Sequence, residues 1–215
     1  MNYLQNIPPE SIDSGIPKVL LVRHEIIHIK HIFTELFHRK SLDIESLLNK
    51  VDMSLLDYIT YMTQRIRRIH KINRSFYEDP NNVVSFNYKS FFPLIEMTSN
   101  FKQQIVLDYD GVITKNSFQE LFKLCTERCE TVVCSANPDI SSDKIKSKYS
   151  VNCGPVYSNK GKKKKLRQLL LLHSRNDFTF FVDDEEEYLK IAWVFGVKTY
   201  QYKNNKITSY SLKTR

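Results

Sequence analysis

QQIVLDYDGVIT, residues 103–114, runs three apolar residues (Ile105, Val106, Leu107) straight into Asp108, Tyr109, Asp110 and Gly111. A short β-branched run of this kind reads as a buried strand, and the glycine just beyond it as a sharp exit turn. Two carboxylates, one residue apart, are costly at the end of a buried strand unless something offsets their charge. The carboxyl edge of an open α/β sheet is where such folds bind ligands, and a divalent cation is the usual counter-charge. Alone, the DxD pattern is equally compatible with an acidic turn, so the meaning of the pair depends on the rest of the chain.

From residue 103 the rhythm is strand, helix, strand, helix, which predicts a mostly parallel sheet with helices on both faces. Strands are expected near 104–109, 131–135, 152–157, 178–182 and 197–202, and helices near 117–129, 141–149, 162–173 and 185–195. Residues 203–215 read as a polar tail or a final short strand. This α/β core, residues 101–215, follows a mainly helical region, 1–100, expected to act as a lid or a docking module.

The helical region opens with a proline-rich arm over 1–16. Apolar spacing then predicts a helix over 17–39, with Val22, Ile26, Ile29, Phe33 and Leu36 on one face. His24, His28, His31 and His38 share the other face, where they could ligate a metal or lie against solvent or a partner. Ser41 is read as capping a short helix to about residue 50, and Asp52 or Ser54 as capping the next, to about 73. The cluster Arg65, Arg67, Arg68, Lys71 and Arg74 near its end suits the helix dipole, or offers a surface to nucleic acid or a phosphopeptide. DPNN at 79–82 marks a turn, and 83–98 mix strand-like and proline-broken character.

The chain has 215 residues, 41% hydrophobic and 26% charged, enough for a full buried core. No apolar run reaches the ~20 residues that span a bilayer, and no membrane association is expected. The four cysteines, Cys125, Cys129, Cys134 and Cys153, contain no C-x-x-C pair. Their pattern argues against zinc and disulfides and for a reducing, cytoplasmic or nuclear setting. The net charge of +8 is uneven: 12 Lys/Arg face 11 Asp/Glu in residues 1–100, but 20 face 13 afterwards. A basic surface on the half that holds Asp108 favours polyanions or phosphorylated partners.

Three further segments carry chemistry. Ser135 ends an apolar strand in TVVCSANP. NKGKKKKLRQLL supplies Lys160, Lys162, Lys163, Lys164 and Lys165. FTFFVDDEEE ends another apolar strand in Asp183 and Asp184. In this order the set DxDGV, Ser, Lys and DD resembles the four motifs of the haloacid dehalogenase-like (HAD) superfamily of phosphohydrolases. The resemblance covers residues 103–202 and implies a Rossmann-like parallel sheet. It implies Asp108 as the nucleophile that forms an aspartyl-phosphate, Asp110 as general acid–base, and Ser135 and Lys160 as groups holding the phosphoryl group. Lys160 is preferred for its K-G pairing with Gly161. The resemblance also implies Mg²⁺, held by the Asp108 side chain, the backbone carbonyl of Asp110, and one or both of Asp183 and Asp184.

Only 26 residues separate Asp108 from Ser135, and 24 separate Ser135 from Lys160. Neither interval holds an inserted cap domain, so the chain resembles the capless branch, which serves macromolecular phosphoesters. A helical region ahead of a capless core is also similar to the baculovirus and nudivirus HAD-like proteins of nucleocapsid assembly, associated with dephosphorylating a basic DNA-packaging protein. The expected activity is a Mg²⁺-dependent phosphatase acting on a phosphoprotein. The alternatives are a low-turnover HAD-fold scaffold binding phosphorylated or nucleic-acid partners, and a polynucleotide-end phosphatase using the lysine run.

Overall fold

The computed structural model describes residues 19–39, 42–78, 84–87, 94–97 and 103–212. The proline-rich arm at 1–16, the Ser41 cap and the DPNN turn lie outside the described residues.

Strands β3 (Gln103–Leu107), β4 (Thr131–Ser135), β5 (Val156–Ser158), β6 (Phe178–Asp183), β7 (Lys198–Lys203) and β8 (Lys206–Ser209) form one sheet. Its order is β5-β4-β3-β6-β7-β8, parallel throughout except for β8, which returns antiparallel on β7. Two shorter strands, β1 (Val84–Asn87) and β2 (Leu94–Met97), pair antiparallel as a separate ribbon. The central strands β4 and β6 are buried along their whole length, as expected of apolar runs covered on both faces. The alternating helices are α4 (Gln119–Arg128), α5 (Ser142–Tyr149), α6 (Lys162–Arg175) and α7 (Glu186–Val194). From β3 the chain steps outward through β4 to β5, then returns past β3 to β6 and β7. With right-handed crossovers this reversal puts α4 and α5 on one face and α6 and α7 on the other. The fold is therefore α/β, with its switch point between β3 and β6.

Ahead of the sheet lie α1 (Val19–Phe33), α2 (Ile44–Val51) and α3 (Leu55–Glu78). Asp43 caps α2 by accepting from Ser46 N. Ser54 and Asp57 form a reciprocal box at the start of α3. Asp52 instead takes a left-handed turn at the end of α2, φ 56°. The three helices share one continuous core with the sheet. Tyr58 donates its hydroxyl to the Val194 carbonyl at 3.1 Å and sets its ring against Phe195.

Two expectations change. The histidine face of α1 is not a bare surface. His28 and His31 lie against Trp193 of α7, with ring centroids 4.9 and 5.2 Å away. His31 also meets the buried Glu35 at 3.3 Å, while His38 is exposed. The side chain of His24 lies outside the described residues. The arginine cluster, in turn, sits mid-helix, because α3 continues to Glu78. Arg65 is 4% exposed and donates to the carbonyls of Asn176 and Asp177, while Arg68 reaches that of Ser174. Arg68 thus caps a last-turn carbonyl of α6, where helical partners run out, and Arg65 holds the two residues just past the helix end. Among the described residues no helix is long and apolar enough to cross a membrane, and all four cysteines are free thiols.

Candidate active site

Strands β3 and β6 are in register, Leu107 opposite Val182, and Asp108 N donates to the Val182 carbonyl at 3.0 Å. The residues that follow, Asp108 and Asp183, therefore emerge side by side at the switch point, where open α/β sheets bind ligands. After Asp108 the backbone turns through Tyr109–Ile113, with Gly111 at φ +85°. That turn brings Gly111 against Asp184: a Cβ at Gly111 would stand 2.2 Å from Asp184 Oδ2. Asp108, Asp183 and Asp184 each offer a carboxylate oxygen within 4.8 Å of the others. Asp110 stands apart from this triad. Its exposed carboxylate faces Ser135, whose hydroxyl reaches Asp110 Oδ2 at 3.5 Å. Ser135, buried at the tip of β4, is held by the amide of Asn137, which donates to Ser135 Oγ at 3.0 Å.

The lysine at the centre is Lys165, where Lys160 was expected. Lys165 Nζ lies 2.7 Å from Asp108 Oδ1 and 2.7 Å from Asp183 Oδ2, and the side chain is only 2% exposed. Lys160 is exposed at the mouth of α6. The physical reason is helical phase. Lys165, Leu166, Leu169 and Leu170 form the inward stripe of α6, and a residue four positions before Leu169 shares its face. That periodicity is present in the sequence, whereas the K-G pairing points to a lysine outside the Asp108–Asp183 cluster. Beneath the ammonium lies the ring of Tyr188, with its centroid 4.0 Å from Nζ, in cation–π range. Of the other lysines, Lys162 pairs with Glu185 at 2.8 Å and Lys163 with Asp52 at 3.3 Å.

Asn159 is a second residue that sequence patterning did not single out. Its Nδ2 reaches the carbonyls of Ser135 (3.1 Å) and Tyr157 (3.0 Å), tying the ends of β4 and β5 together.

Burial pushes the carboxyl pKa of Asp108 upward, the charge of Asp183 adds to the push, and Lys165 opposes it. Burial likewise raises Asp183 against the pull of Lys165. Burial would lower Lys165, but the charges of Asp183 and Asp108 prevail and hold its ammonium above lysine's ordinary range. Three clustered carboxylates against one ammonium leave excess negative charge. These carboxylates are hard oxygen donors that could hold a divalent cation.

The arrangement thus places a desolvated carboxylate held by an ammonium beside an exposed carboxylate on a serine hydroxyl, at a sheet's carboxyl edge. No family model, curated protein or solved structure matches the chain.

Proposed function

We propose that the chain is a Mg²⁺-dependent phosphatase of the HAD type, acting through an aspartyl-phosphate on a macromolecular phosphoester, a phosphoprotein. The observation that carries this reading is Lys165 bridging Asp108 and Asp183 at 2.7 Å each, with Asp184 in the same cluster. Lys165 occupies Oδ1 of Asp108 and so fixes the carboxylate, leaving Oδ2 to attack phosphorus in line. As the Asp108–phosphorus bond forms, the bond to the leaving oxygen breaks, and Asp110 supplies the proton that oxygen takes. Asp110 then accepts a proton from the water that attacks phosphorus, and the bond to Asp108 breaks. Ser135 donates its hydroxyl to the transferring group. Asp108, Asp183 and Asp184 would hold Mg²⁺, which when bound offsets charge on the phosphoryl oxygens.

Hydrolysis of para-nitrophenyl phosphate in the presence of MgCl₂ tests the proposal. Turnover is expected for the wild type and should be lost in Asp108→Asn. A purified wild type inert toward small phosphates, phosphopeptides and nucleotide ends alike would leave only a binding role.

A further inference from the structure

A groove of about 540 Å³ runs between α3 and α6, and Asn159 forms its upper end. The size lies within the roughly 300–1,000 Å³ of ligand pockets. Because Asn159 also holds the Ser135 carbonyl, the groove begins at the rim of the candidate active site and leads away from it. Its floor is apolar, made by Met53, Leu170 and Leu171, and its wall carries Lys164 and Arg167. Among the described residues no acidic side chain lines it.

Leu171 is the informative residue. Helix α6 buries Leu166, Leu169, Leu170 and Leu172, yet leaves Leu171 42% exposed in the groove. Lys164, seven positions earlier on the same helix, makes no ion pair among the described residues and is exposed. Arg167 is tethered 3.5 Å from Asp52 and keeps 59% of its side chain exposed. An apolar floor with cations on one wall is complementary to a chain that carries both an apolar side chain and carboxylates. A nucleic-acid strand fits less well, since it gains from stacked aromatic platforms and a run of phosphate contacts, and among the described residues Tyr61 is the one aromatic lining the groove.

We infer that this groove docks an extended, acidic, leucine-bearing peptide segment that flanks the phosphorylated residue of the substrate. This rests on the phosphatase reading for the phosphate, but not for the docking itself. The apolar side chain seats against Met53 and Leu171, and the carboxylates face Lys164 and Arg167.

Fluorescence anisotropy with a fluorescein-labelled, unphosphorylated peptide, alternating Asp or Glu around a leucine, measures docking without turnover. The wild type should bind it at least about tenfold more tightly than a peptide with lysines in place of the acids. Lys164→Glu and Leu171→Asp should each weaken binding by about tenfold. On the phosphorylated peptide, kcat/KM should fall by the same factor while para-nitrophenyl phosphate turnover is unchanged. Equal peptide affinity in wild type and both variants, or preference for the lysine peptide, overturns the inference. So does a groove that binds only a single-stranded oligonucleotide, or one whose only Leu171→Asp effect is to dissolve a dimer seen by sedimentation. Peptide binding lost in the variants of a wild type that hydrolyses nothing would support the docking site and remove the phosphatase.

Discussion

His173 lies fully buried in α6, and neither ring nitrogen has a hydrogen-bond partner among the described residues. Burial drives its pKa well below the ordinary 6.5, and Arg65, His28 and Arg68 push the same way. The unfolded chain therefore takes up a proton near pH 6.5 that the native chain refuses. The stability this neutral imidazole contributes is complete above that pH and lost as pH falls, by up to about 1.4 kcal/mol per pH unit. Asp108 and Asp183, whose carboxyl pKa values are raised, act in the opposite sense over the same window. The histidine is therefore read by difference: as pH falls from 7.5 to 5, the urea midpoint of His173→Leu should rise relative to that of the wild type. Gly111 makes a sharper demand. A side chain there meets both a left-handed backbone and the Asp184 carboxylate at 2.2 Å, so Gly111→Ala should abolish most of the proposed phosphatase turnover while the protein remains folded. A Gly111→Ala enzyme with full activity would remove Asp184 from the site. Lys165→Met should cost at least about 100-fold in kcat, whereas Lys160→Ala should change it by no more than about twofold. Asp108, Ser135 and Asp183 were legible because each ends an apolar strand. Lys165 was obscured by four neighbouring lysines of the same type, and only helical phase separates them.

At the scale of elements, α3 is held to the sheet layer by groups that reach across to helix ends. Arg65 satisfies two carbonyls past the end of α6, and hydrogen bonds from a charged donor contribute about 1.5–3 kcal/mol. Arg65→Met should lower the unfolding free energy by about 2–3 kcal/mol, while Arg67→Ala, on the exposed face, should stay within about 0.5 kcal/mol. Denaturant titration of the two variants checks this. Comparable losses would show that the cap is not what anchors α3. Helix α3 itself was readable from its apolar spacing and from Ser54 as one of two candidate caps. The destination of its arginines was not, because a cationic stripe looks the same whether it faces water or the end of another helix.

For the whole molecule, the N-terminal helices are a packed layer of the fold. Trp193, Val194 and Phe195 of the α7 end are each no more than 3% exposed, and α1 and α3 cover them through His28, His31 and Tyr58. Exposing side chains of this size costs about 1.5–3 kcal/mol each, a large fraction of a domain's net stability. Residues 103–212 expressed alone should therefore bind a hydrophobic dye or aggregate. A monomeric fragment melting at the temperature of the full chain would show instead that the helical layer is dispensable. At the other end of the layer, Lys50 pairs with Glu187 and Asp52 with Lys163, which places α2 beside the rim from which the α3–α6 groove departs.

The sequence by itself determined the alternation of strands and helices from residue 103 and the strand ends at Asp108, Ser135 and Asp183, because burial periodicity and turn chemistry are local. Tertiary structure alone decided that β3 and β6 are neighbours, that the inward face of α6 meets Asp108, that the histidines of α1 rest on Trp193, and that a groove leads away from Asn159. Each depends on which surfaces meet across more than 20 residues of chain, and a contact between distant surfaces leaves no period in the sequence.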